Sequence, residues 1–228
     1  MEKSQQKYDA FVKSYWNYYL DLDYQMMVTR KYVDFDEVNF VTYSVEFLKL
    51  FQAVCSEIDV VGKMLANEVN SNFKPDDKTN NILKWWYEIQ DWYTDWKKKT
   101  VNFRQQYSLM PWDSFKVEYL ANKKDSMYYR VSQADNFKVP TWWTAYNKVK
   151  HNRTSIDKET NTQNYVKANL LNLSNAYAAL YLLEKNYLDH FGDEYASQTT
   201  GISALFESVQ PILTIRDDGH LYSTHDYD

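Results

Sequence analysis

Only four Gly and four Pro occur in 228 residues, too little turn chemistry for a sandwich or barrel that must reverse about every ten residues. A chain so poor in punctuation reads as helical. No Pro-, Gly- or Ser-rich stretch separates two halves of different composition, and the length suits one substantial core. The expectation is an all-α fold: a single antiparallel helical bundle over residues 1–210, an irregular insertion around 100–139, and an acidic tail at 211–228.

Apolar spacing places the helices. A first helix is expected from about Gln5 to Arg30, interrupted at Val33-Asp34-Phe35-Asp36. Phe47, Phe51, Val54, Ile58, Val61 and Leu65 recur at steps of three and four, which puts them on one stripe of a second helix. Asp76-Asp77-Lys78-Thr79 offers capping side chains for a third, through Ile82, Trp85, Trp86, Ile89 and Trp92. Periodicity lapses from Thr100 to Val139, where loops, short helices or a small hairpin fit the pattern. Pro140 suits the first turn of a helix carrying Trp142, Trp143, Tyr146 and Val149. A last helix is expected from about Thr160 to His190, with Val166, Leu170, Leu173, Tyr177, Leu180 and Tyr187 along one side, closed by Gly192. The second and last stripes should pack together as antiparallel neighbours.

Composition narrows the function classes. The opening Met1-Glu2-Lys3-Ser4-Gln5-Gln6 leads into charged and aromatic residues without a signal-peptide pattern, so a cytoplasmic protein is expected. The longest apolar runs, such as Asn175 to Leu183, fall short of the roughly 20 residues that span a bilayer. Cys55 is the sole cysteine, so no internal disulfide or Cys-rich zinc site can form, and neither a metal nor another cofactor is expected. The sequons at Asn152 and Asn172 are then chance matches. A net charge of −5 confines any nucleic-acid contact to a local patch.

One segment gathers such a patch. In Trp142-Trp143-Thr144-Ala145-Tyr146-Asn147-Lys148-Val149-Lys150-His151-Asn152-Arg153, Asn147 and His151 stand four apart on one helical face, with Trp143 a turn earlier. Lys148, Lys150 and Arg153 supply cations for a phosphate next to an imidazole that can take or give a proton. The plainer reading makes His151, Lys150 and Arg153 a helix end whose cations complement the dipole.

Tyr146 to Arg153, followed by the long helix from Tyr165 to Tyr187, resembles the end of the HEPN superfamily. Tyr43-Ser44-Val45-Glu46-Phe47 and Ser56-Glu57-Ile58-Asp59 resemble the second helix of bacterial HEPN-like proteins. The resemblance covers roughly two-thirds of the chain and rests on a motif of modest specificity. It implies a helical bundle, often a metal-independent endoribonuclease of phage-defence or toxin systems, acting on RNA as a homodimer and sometimes held by an antitoxin or other protein partner. The family signature is an Arg, a polar residue, three variable residues and a His. Asn147 and His151 match it, implying a catalytic pair with His151 as general acid or base, but Tyr146 stands at the Arg position. Lys148, Lys150, Arg153 and Tyr146 are then the substrate-binding candidates. Loss of the Arg favours the alternative, a non-catalytic helical module binding a protein partner or nucleotide.

Weaker candidates remain. Glu46, Glu57 and Asp59 are candidates to orient His151 or bind a metal, against the plainer reading that they face water or pair with Lys. Lys97-Lys98-Lys99 with Trp92 and Trp96 are candidates to grip a single strand, against the plainer reading of a solvated helix end. Arg216-Asp217-Asp218-Gly219-His220 reads as solvated tail, and His190 as a helix-end residue.

Overall fold

Helix α1 (Glu2–Phe11) passes through a π-helical turn at Val12–Trp16 into α2 (Asn17–Thr29), forming one long rod. The computed structural model describes residues 2–91, 99–121, 127–192, 195, 201–206, 214–215 and 221–222. The rest of the order is α3 (Val45–Val69), α4 (Ile82–Ile89), β1 (Val101–Phe103), β2 (Tyr107–Leu109), β3 (Val117–Ala121), β4 (Met127–Val131), α5 (Thr141–Asn152), α6 (Leu170–His190), β5 (Thr214–Ile215) and β6 (Leu221–Tyr222).

The expectation of an all-α bundle is overturned, because the chain is a mixed α/β protein. β1 and β2 pair as an antiparallel hairpin with Val101 opposite Leu109, and β3 and β4 as a second with Tyr119 opposite Tyr129. A third short pair joins β5 to β6. Nor is the stretch around 100–139 an irregular insertion. Both strands of the first hairpin alternate buried, exposed, buried, and the link between the hairpins sends Trp112 and Phe115 fully into the core. Trp112 stacks on Trp86 at 4.3 Å and meets Trp142 edge-on at 5.3 Å, tying α4 and α5 to the hairpins.

α3 is the helix the stripe predicts. Ser44 caps it by accepting from the Phe47 N–H, and Phe47, Phe51, Val54, Ile58, Val61 and Leu65 are all buried. Gly62 interrupts the side chains where Trp85 lies against the helix. A Cβ there would come within 2.7 Å of the indole. The cap of α4 is Asn81, accepting from the Leu83 and Lys84 N–H groups, whereas Asp77 turns back to Thr79. α6 begins at Leu170, later than the expected start near Thr160. Asn164–Lys167 is a separate 3-10 turn, and extended Asn169 caps the helix through the Asn172 N–H. Gly192, at φ +92°, follows its last turn.

α3 and α6 do pack together, but side by side in the same direction. The Leu170 N–H bonds to the Thr42 carbonyl at 2.9 Å, so both helices start at one end. Farther along, Glu57 faces Glu184 and Glu68 faces Tyr187. α1 and α2 run the other way, with Lys7 paired to Glu68 at 2.5 Å and the Tyr177 hydroxyl donating to the Leu22 carbonyl. The reversal of expectation has a physical cause: α4, two hairpins and α5 return the chain to the starting end before α6 begins. Among the described residues, no helix is long and apolar enough to cross a membrane.

Candidate functional site

α5 is fixed on α3 and α6 by its buried side, Trp142, Trp143, Ala145, Tyr146 and Val149. The Trp142 indole N–H donates to the Pro111 carbonyl at 2.9 Å, and Tyr146 meets Phe51 edge-on. This docking turns Asn147, Lys150 and His151 outward. They form one wall of a cleft of about 690 Å³, whose other walls are Ser56 and Asp59 of α3 and the start of α4 at Asn80 and Asn81.

The candidate residues divide on the structure. Asn147, His151, Lys150, Lys148 and Tyr146 all line the cleft, with Trp143 at its base. Arg153 does not. It is an exposed residue at the end of α5 whose carbonyl accepts the Tyr165 N–H. Lys148 is held at 2.6 Å by Asp157, which also takes Lys167 at 3.3 Å and the N–H groups of Glu159 and Thr160. The Lys148 hydrogen bond is the main cause that drives the Asp157 carboxyl far below its ordinary range, and the same bond raises Lys148. Lys150 lies 5.3 Å over the Tyr146 ring and makes no ion pair among the described residues. It is the cation in the cleft most available to a ligand.

Tyr146 itself is only 5% exposed. Burial, with smaller contributions from Cys55 and Asp59, pushes its hydroxyl up to about 12. The group is neutral near pH 7 and has neither the charge nor the planar fork of an Arg.

Of the carboxylates placed near His151 by sequence, only Asp59 reaches the cleft, and both its oxygens are used, by Trp85 Nε1 at 3.1 Å and Lys63 Nζ at 2.5 Å. Glu46 pairs with Lys49, and Glu57 turns to the α6 side. No group of three metal-ligating side chains occurs among the described residues. Lys99 donates to Asn186 at 2.6 Å; Trp92, Trp96, Lys97, Lys98 and the Arg216–His220 stretch lie outside the described residues, and His190 is the last residue of α6.

Sequence reasoning missed Ser56, Asn80 and Asn81. Asn80 and Asn81 look like turn residues, which they also are. The Asn80 amide nitrogen donates to the Lys74 carbonyl at 2.6 Å, and the residue lines the cleft. No local pattern joins them to a helix some 65 residues onward. No protein-family model, curated protein or solved structure matches the chain.

Proposed function

We propose that this cleft binds a nucleotide unit, as part of RNA or free, with the phosphate beside Lys150 and His151 and the base against the Asn147 amide. The observation that carries the reading is the convergence of Lys150, His151 and Asn147 on one wall of a cleft opposite Asn80 and Asn81. Its volume lies within the roughly 300–1,000 Å³ common for small-ligand sites. Amides offer a donor and an acceptor side by side, the pairing that base edges present. A local cation next to an imidazole suits a phosphate even in a chain of net charge −5.

RNA cleavage is the second reading, favoured by Asn147 and His151 sharing one face in the same cleft. His151 would take the proton of a ribose 2′-hydroxyl as that oxygen attacks phosphorus. The 5′-oxygen would leave with a proton taken from solvent water, His151 would later return its proton to solvent, and Lys150 would offset charge on the pentacovalent phosphate. Buried, neutral Tyr146 at the position of the HEPN Arg places binding ahead of cleavage.

The test uses labelled 2′-O-methyl hexauridylate, which lacks the attacking hydroxyl, at low salt. Lys150→Glu is expected to weaken binding at least about tenfold, equal to about 1.4 kcal/mol, while the melting temperature stays near wild type because the side chain is exposed. Absence of binding by wild type, or equal affinity in the variant, overturns the reading. With unmodified RNA in EDTA, new ends that vanish in His151→Ala establish cleavage; no new ends leave the binding module.

A further inference from the structure

A second hollow adjoins the cleft on the far side of the exposed ridge of α5. It measures about 380 Å³ and includes Thr141, Thr160, Thr162, Lys167 and Asn172. Thr144 and Lys148 line both hollows. Thr141, Thr144 and Lys148 follow helical steps of three and four, so the ridge runs along one side of α5, and its shared part is a single turn about 6 Å long.

The two hollows differ in chemistry. The first offers amides, an imidazole and Lys150. The second offers hydroxyls: Thr160 and Thr162 bond to each other at 2.8 Å, and Thr160 also leans on Asp157. Its cations Lys148 and Lys167 face Asp157 and Glu159, so it is close to neutral and suits a ribose with its phosphate oxygens better than a free polyanion. Lys148 sits between them. An ammonium has three donors, and Asp157 takes one from Lys148 at 2.6 Å. The side chain is 40% exposed, so its other donors can serve a phosphate lying across the ridge.

We infer that the two hollows are consecutive subsites of one track, and that the ligand is a single-stranded oligonucleotide of at least two residues whose bridging phosphate crosses Lys148 and Thr144. The inference rests on the nucleotide reading of the cleft. It adds a length requirement and assigns the Thr141 side of α5 to the neighbouring sugar.

UMP, 2′-O-methyl pUpU and the corresponding tetramer are competed against labelled 2′-O-methyl hexauridylate. Inhibition constants are expected to fall about tenfold or more from UMP to pUpU, a gain of about 1.4 kcal/mol. Thr141→Glu, which places a carboxylate in the second hollow alone, should weaken pUpU about fivefold and UMP less than about twofold. An acid in the first turn of α5 is favourable to the helix, so folding is retained. Thr162→Asp, on the opposite rim, repeats the test from a loop. If pUpU binds no tighter than UMP, or both variants leave pUpU unchanged, the track is wrong and the cleft reading stands. If neither UMP nor any oligomer competes and the hexamer itself does not bind, both fall together.

Discussion

Trp112→Ala is expected to cost about 3–5 kcal/mol of folding stability, the range for truncating a large buried aromatic. Trp112 is wholly buried between the two hairpins, with its indole N–H donating to the Ala179 carbonyl of α6 at 3.3 Å. It stacks on Trp86, meets Trp85 at 6.1 Å and Trp142 at 5.3 Å. Truncation therefore empties the point where α4, α5, α6 and the hairpin segment meet, and it removes the indole bond to the Ala179 carbonyl, which keeps its helical donor. Urea unfolding should show the midpoint falling with the slope unchanged. A loss below about 1 kcal/mol would mean that residues 101–131 are appended to the helices and not part of their core.

Glu184→Leu is expected to do the opposite, raising stability by roughly 1–3 kcal/mol. Glu184 lies within α6 with no exposure, and neither carboxyl oxygen has a hydrogen-bond partner among the described residues. Among the described residues, the ionisable groups facing it are Tyr15 and Tyr19 from the N-terminal rod and Glu57 from α3. None of these is a cation. Burial, then repulsion from Glu57, holds the Glu184 carboxyl well above its ordinary range, so the folded protein keeps a proton that the unfolded chain releases. The contribution is complete below the unfolded value of about 4.3 and is lost as pH rises toward the folded value.

Wild type should therefore lose stability relative to Glu184→Gln as pH is raised from about 5 to 8. The Gln variant keeps a buried polar group and removes only the titration, whereas Leu removes both. A wild-type profile parallel to that of Glu184→Gln across this range would show that Glu184 does not titrate there. A Leu variant less stable than wild type at neutral pH would show that the carboxyl is satisfied in solution.

The helices that carry the site were readable along the chain because their signals are local. The stripe from Phe47 to Leu65 sets which side of α3 is buried, and Pro140 followed by Trp142, Trp143, Tyr146 and Val149 does the same for α5. Helical spacing alone then puts Asn147 and His151 on the opposite, outward side, where the structure has them. The hairpins were not readable. Three-residue strands such as Val101-Asn102-Phe103 are too short for alternation to stand out, and they exist because Phe103 and Tyr107 stack on each other and against the core.

Sequence by itself determined the outward set on α5 and the apolar face of α3, since a 3.6-residue period fixes angular position within one element, whereas α6 is buried on every side from Ala176 to Glu184. Tertiary structure decided everything that depends on which elements meet. It set α3 and α6 running in one direction, brought Asn80 and Asn81 opposite His151, and separated three neighbouring cations: Lys148 to Asp157, Lys150 over Tyr146, Arg153 outside the cleft. Spacing along a chain does not encode those choices, because a long side chain takes the partner that packing brings within reach.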